Sequence, residues 1–212
     1  MFSISTIIIA VTAILTYQGF SNPDFFNKYK FNISAVRSGE QYRMLTSGFL
    51  HADWFHFAFN MFSFWSFTNV LEIYFNSIQI LIIYIGSMFL GSFLSLRLHQ
   101  NEPHYSAIGA SGAVSGVIYS AILLHPESSV YLFGALKIPG FLFAILYLSY
   151  SIFGMKGRFD NIGHTAHFGG AVGGLFFTLM LKPILLNERL MFIGLMLIPI
   201  VVLYFIVRKD KL

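Results

Sequence analysis

The chain reads as apolar runs parted by short polar links, and that pattern constrains the fold more than any single motif. The runs cover about Ser3 to Phe20, Trp54 to Phe75, Ile78 to Leu96, Ser111 to Leu124, Phe141 to Phe153, His164 to Leu181 and Leu190 to Val207. Only 10% of the 212 residues are charged and 56% are hydrophobic, with a mean hydropathy of +0.71. A soluble domain carries about 25% charged residues. Lipid offers no partner for backbone N–H and C=O groups, so apolar runs of this length are expected as helices. The expected fold class is therefore all-α: a polytopic transmembrane helix bundle, read as a single membrane domain over residues 1–212. The first run has no basic segment before it and no Ala-x-Ala cleavage site, so it is expected to be a retained span rather than a signal peptide.

The fourth run departs from the others. It opens at Gly109-Ala110-Ser111-Gly112 and stops at His125-Pro126. A helix of about 15 residues is about 22 Å long, whereas the hydrocarbon layer is about 30 Å thick. With Pro126 at one interface, Ser111 is expected several ångströms below the other. The polar stretch His99 to Ser106 must then dip inward, which is tolerated only against protein or a water-filled cavity. A serine at the start of a buried helix, beside water, is a candidate nucleophile. The helix start leaves N–H groups without helical partners near Ser111 and Gly112. The helix dipole favours negative charge there, so these donors suit an oxyanion.

Seven crossings bring the starts of runs two, four and six to one side. Near those starts lie His56 and Asn60, Ser111, and His164 and His167. Ionisable residues within spans are costly and are functional candidates by default, which points to His167 as a base for Ser111. Gly169 with Gly173, Gly170 with Gly174, and Gly112 with Gly116 form small-xxx-small faces that let helices approach closely. A serine–histidine pair needs that proximity. His56 and Asn60, spaced i, i+4, share a helix face, either as interhelical bonds or as donors to an oxyanion. His51 and Asp53 are expected as interfacial structure, Glu72 as a helix-end anchor near the opposite interface, and Tyr42-Arg43 as the organiser of the long first loop, Ser21 to His51. The histidines raise the question of a metal, but there is no His-Glu-x-x-His and no nearby carboxylate base. No metal and no cofactor are expected. Without cysteine, thiolate chemistry is excluded, and the scattered basic residues of a chain with net charge +4 form no nucleic-acid stripe.

In this order the motifs resemble the rhomboid family of intramembrane serine proteases. Tyr42-Arg43 resembles the family's Trp-Arg. His51, His56 and Asn60 are similar to its His-x4-His-x3-Asn, and Gly109-Ala110-Ser111-Gly112 to its nucleophile motif. Ala166-His167 with the glycines that follow is similar to Ala-His-x-x-Gly-x-x-x-Gly. The resemblance covers about residues 40–182 and implies a six-helix core, with residues 190–207 as an extra C-terminal helix. It implies a Ser111–His167 dyad without an aspartate and an oxyanion hole from His56, Asn60 and backbone near Ser111. The implied activity is an endopeptidase acting on transmembrane protein substrates in the lipid bilayer. The alternative is a rhomboid-like pseudoprotease that binds membrane clients uncleaved; its usual signature is loss of the serine or histidine, and both are present. The expected location is a bacterial cell (inner) membrane. Family members often carry an aromatic residue four positions after the nucleophile, stacked on the histidine. Ser115 stands there, so other groups are expected to hold His167, with Tyr119 one candidate among them.

Overall fold

The computed structural model describes residues 3–132, 135–157 and 162–210. Arg158 and Asp160, expected in the loop after the fifth run, and Lys211 of the basic tail lie outside them. The described chain is a helical bundle. Its long helices are α1 (Ile4–Ser21), α5 (Trp54–Leu71), α6 (Ser77–Leu98), α7 (Ser111–Leu124), α8 (Gly140–Gly157), α9 (His164–Leu181) and α11 (Leu190–Asp210). Short helices α2 (Pro23–Tyr29), α3 (Ile33–Arg37) and α4 (Arg43–Thr46) fill the first loop, and α10 (Leu185–Glu188) precedes α11. Two antiparallel pairs complete it: β1 (Phe31–Asn32) with β2 (Ser106–Ala107), and β3 (Ser129–Leu132) with β4 (Leu136–Pro139). Helices α1, α6 and α8 are long and apolar enough to cross a membrane.

Local chemistry explains the helix starts. The Ser3 hydroxyl accepts from the Thr6 N–H, and the Asp53 carboxylate from the His56 N–H at 2.7 Å. Asn76 and Gln79 form a reciprocal capping box at the start of α6. By contrast α7 has no side-chain cap, and every residue from Gly112 to Leu124 is buried. It is the central helix, packed against α5, α6 and α9.

Glycine sets the distance between these helices. A Cβ on Gly170 would run into the Gly112 carbonyl, and one on Gly174 into that of Gly116. The other glycine pair of α9 faces α6: a Cβ on Gly169 would lie 2.7 Å from the Leu90 oxygen, and one on Gly173 2.9 Å from the Ser87 Cα. The two small-residue faces expected of this helix thus serve two different neighbours. Backbone-to-backbone contact of this kind maximises dispersion where lipid gives no hydrophobic drive between helices.

The first loop is a built unit rather than a plain connection. Arg43 donates to the carbonyls of Asn27 at 2.7 Å and Lys30 at 2.9 Å, and to the Glu40 carboxylate at 2.6 Å. Hydrogen bonds from Arg43 and Tyr42 hold the Glu40 carboxyl below its usual range. The β1–β2 pairing, with Phe31 opposite Ala107, ties this unit to the chain just before α7. His51, expected as interfacial structure, is instead a buried brace, 1% exposed. Its Nε2 accepts from the Ala110 N–H at 3.4 Å, so its Nδ1 carries the proton and donates to Thr16 at 2.9 Å. Thr16 in turn donates to the Phe49 carbonyl. One imidazole therefore joins α1, the end of the first loop and the start of α7. Elsewhere, α5 stops at Leu71, one turn before the expected Phe75, and Glu72 accepts from Ser5 of α1 at 2.9 Å. The linker around Pro126 and Pro139 is a β-hairpin, with Tyr131 opposite Lys137.

Two predictions follow from this packing. Gly170→Val or Gly174→Val overpacks a backbone contact, which costs about 1–3 kcal/mol and lowers the melting temperature by about 4–10 °C. Gly194→Val on α11, where a Cβ meets nothing within 4 Å, leaves it near wild type; equal melting of all three variants would count against the close contact. The second concerns acid. Burial pushes the His51 imidazole down to about 3 from 6.5, reinforced by neighbouring His56. Between those values the unfolded chain binds a proton that the folded chain refuses, so stability falls as pH drops below about 6.5. Below 4.5 the Glu40 contribution also fades as its carboxylate protonates. His51→Gln should flatten the fall in melting temperature between about pH 7 and pH 5; an unchanged slope would remove His51 as its source.

Candidate active site

Ser111 is the first residue of α7. The turn that delivers it needs Gly109, whose φ of +115° lies in the region that favours glycine. A Cβ there would also press on the His56 ring, 2.8 Å from Cε1 and 2.9 Å from Nε2, and would lie 3.7 Å from Ser111 Oγ. Gly109 is thus a gap with the serine hydroxyl on one side and the His56 imidazole on the other. The Gly109 N–H donates to the Ser47 carbonyl and the Ala110 N–H to His51. The N–H groups of Ser111, Gly112 and Ala113 donate to nothing among the described residues. Three backbone donors and the positive end of the helix dipole therefore converge beside a half-buried hydroxyl.

The first turn of α9 carries His167. Its neighbour Ala166 touches Gly112: a Cβ on Gly112 would lie 3.2 Å from the Ala166 oxygen. The Gly112–Gly170 contact continues one turn deeper. These contacts bring the helix starts bearing Ser111 and His167 together at one depth. Both residues are half-buried. The His167 ring lies nearly parallel to that of Tyr147 on α8, with centroids 6.0 Å apart at 19°. The hydroxyl of Tyr119, one candidate for holding the histidine, donates to the Ala144 carbonyl, and its ring backs Tyr147 at 6.2 Å.

His56 and Asn60 occupy the first turns of α5. The Ala52 N–H donates to His56 Nδ1 at 3.5 Å, which leaves the proton on Nε2, the nitrogen beside Gly109. Asn60 is 4% exposed, and its amide donates to the His56 carbonyl at 2.9 Å. A carboxamide has two N–H donors, and this bond uses one. His164 is buried, edge-on to Tyr150 at 5.1 Å and to His167 at 6.3 Å. Among the described residues no group of three or more His, Asp or Glu could hold a metal ion.

A cavity of about 470 Å³ adjoins the site, lined by His56, Tyr105, Ile108, Gly163 and His164 among others. Its wall contains a feature the sequence did not signal. In the polar stretch before β2, His99 stacks on Tyr105 at 3.7 Å and 9° and bonds Glu102 at 3.1 Å. His99, Glu102 and Tyr105 of that stretch are half-buried, whereas Gln100, Asn101, Pro103, His104 and Ser106 are exposed.

Comparison with known proteins identifies the family. The model of the rhomboid domain matches residues 38–184. "Rhomboid protease GluP" of Bacillus subtilis (strain 168) is 32% identical over 143 residues, 68% of this chain and 26% of that protein. "RHOMBOID-like protein 12, mitochondrial" of Arabidopsis thaliana is 25% identical over 170 residues, 73% of this chain and 51% of that protein. "Putative rhomboid protease YdcA" of Bacillus subtilis (strain 168) is 29% identical over 151 residues, 68% of this chain and 69% of that protein. The chain thus spans about half or less of the length of the first two. Because relatives include mitochondrial proteins, they do not support the bacterial cell membrane expected from the sequence over another membrane; what stands is a multi-pass integral membrane protein. With a domain match over most of its length and the motifs gathered at one site, the chain belongs to the rhomboid family.

Proposed function

We propose that this protein is an intramembrane serine endopeptidase that cleaves membrane-protein substrates in or near their transmembrane segments through a Ser111–His167 dyad. One observation carries the reading: a serine at the uncapped start of the buried helix α7, with the histidine-bearing start of α9 held against it by glycine contacts. His167 takes the Ser111 proton as Oγ attacks the scissile carbonyl. The resulting oxyanion accepts from His56 Nε2–H, from the second N–H of Asn60 and from the free backbone donors of α7. His167 then protonates the leaving amine, and water resolves the acyl-enzyme by the same steps in reverse. A transmembrane substrate has its backbone hydrogen-bonded along a helix, so a segment that unwinds locally presents its carbonyl most readily. The names of its relatives, which include a rhomboid protease, support the same activity.

The dyad is tested with a transmembrane reporter and a fluorophosphonate probe. Ser111→Ala and His167→Ala should each lower cleavage by about 10⁴-fold or more and abolish labelling, while melting stays near wild type. The double variant should be no slower than either single one, because the two act as a unit. Labelling of Ser111→Ala, or strictly additive losses, would reject the mechanism. The oxyanion donors give a finer prediction. A charge that exists only near the transition state affects the chemical step, and loss of one donor of several should cost about 10-fold in kcat for Asn60→Ala with KM nearly unchanged. An unchanged kcat with a lower melting temperature would assign Asn60 to structure alone.

A further inference from the structure

Ser115 lies one turn below Ser111 on α7 and is 1% exposed. Its hydroxyl donates to the Ser111 carbonyl at 2.7 Å and also stands 2.7 Å from the Tyr147 hydroxyl. The single Ser115 hydrogen is committed to that carbonyl, so the Tyr147 O–H is the donor to Ser115 Oγ. The Tyr147 ring is backed by Phe143 of its own helix, nearly parallel at 5.8 Å and 20°, and presents its other surroundings to His167 and Tyr119. A position so buried, with a tyrosine hydroxyl at hydrogen-bond distance, has no room for a large ring at 115 while Tyr147 stays in place.

We propose that Tyr147 is the positioning residue of the His167 imidazole, and that Ser115 anchors Tyr147 for that task. This rests on the Ser111–His167 reading and deepens it. A histidine in the first turn of a helix can swing about its Cα–Cβ bond, and a base that works on one hydroxyl must hold one ring plane. An aromatic neighbour within 7 Å of the imidazole favours that plane. The hydroxyl at its far end is tied, through Ser115, to the carbonyl of the nucleophile itself. Base and nucleophile are therefore referenced to each other by a path through α8, separate from the glycine contact between α7 and α9. Helix α8 becomes part of the site without touching the reacting atoms.

The test compares Tyr147→Phe, which keeps the ring, with Tyr147→Leu and Tyr147→Met, which do not; methionine is flexible enough to fill the space if leucine compromises folding. Detergent-solubilised protein is assayed for reporter cleavage, for the rate of fluorophosphonate labelling and for melting. Phenylalanine should stay within about threefold of wild type in kcat. The non-aromatic variants should lose about 10- to 100-fold in kcat, the scale of a base displaced by about an ångström. KM should remain within about twofold, and labelling, which needs no substrate segment to dock, should slow in parallel. Equal losses in Tyr147→Phe and Tyr147→Met, a rise in KM alone, or wild-type kcat and labelling in the non-aromatic variants would each overturn the proposal. Ser111→Ala, run alongside, separates the two readings: if it still cleaves and labels, the dyad fails, whereas a dead Ser111→Ala with an indifferent Tyr147 series rejects only the positioning role.

Discussion

The contact between α7 and α9 is the constraint on which the rest of this structure depends. Water drives soluble helices together, but in lipid an apolar helix gains nothing by leaving its surroundings, so association rests on packing and on polar contacts. Gly112, Gly116, Gly170 and Gly174 remove the side chains that would keep the backbones apart. The approach they permit is what sets the starts of the two helices, and hence Ser111 and His167, at one depth. Burial of nearly all of α7 follows from the same geometry, because α5, α6 and α9 surround it.

A central helix shorter than the bilayer creates a second requirement. At 14 residues, α7 spans about 21 Å, and the chain that feeds it must descend into the membrane. The structure meets that need with a scaffold rather than with a side-chain cap. The β1–β2 pair ties the descending segment to the first loop, which the Arg43 cluster orders, and the His51 brace holds its end. His51 uses both ring nitrogens in this brace; Ala110 gives its N–H to that ring, and Gly109 gives its own to the Ser47 carbonyl. The donors left over are the next three, at Ser111, Gly112 and Ala113. The preorganised positive end of the helix is thus a by-product of how the helix is anchored.

Much of this was legible in the residues, and the reasons for the misses are physical. The apolar runs located the long helices to within about a turn because lipid leaves the backbone no alternative. The paired glycines of α9 showed two small faces, since period-four spacing maps directly onto a helix surface. The ordered motifs marked Ser111, His167, His56 and Asn60. Tertiary partners were less readable. His51 carries no local sign of being a brace, because its partners Thr16 and Ala110 are distant in sequence. The first loop's short helices and the β3–β4 hairpin are set by caps and pairings too short to show a period. Tyr119 lies on the same helix as Ser111, but its hydroxyl is committed to the Ala144 carbonyl on α8, a partner distant in sequence.

The Ser115 position shows why a motif can be read too locally. A helix-bound aromatic four residues after a nucleophile is one way to place a ring beside a histidine, and the spatial demand is for the ring, not for its address in the chain. Ser115 leaves a pocket one side chain deep, and Tyr147 enters from α8 with its hydroxyl on the serine. The exchange changes what the ring depends on. A ring on α7 would move with the nucleophile, whereas Tyr147 moves with α8, which packs more extensively on α11 than on α7. In this arrangement α11, which contributes nothing to the site among the described residues, supports the helix that carries the ring. Its packing is therefore coupled mechanically to the orientation of the imidazole through a short path of touching groups: α11, α8, Tyr147 and His167.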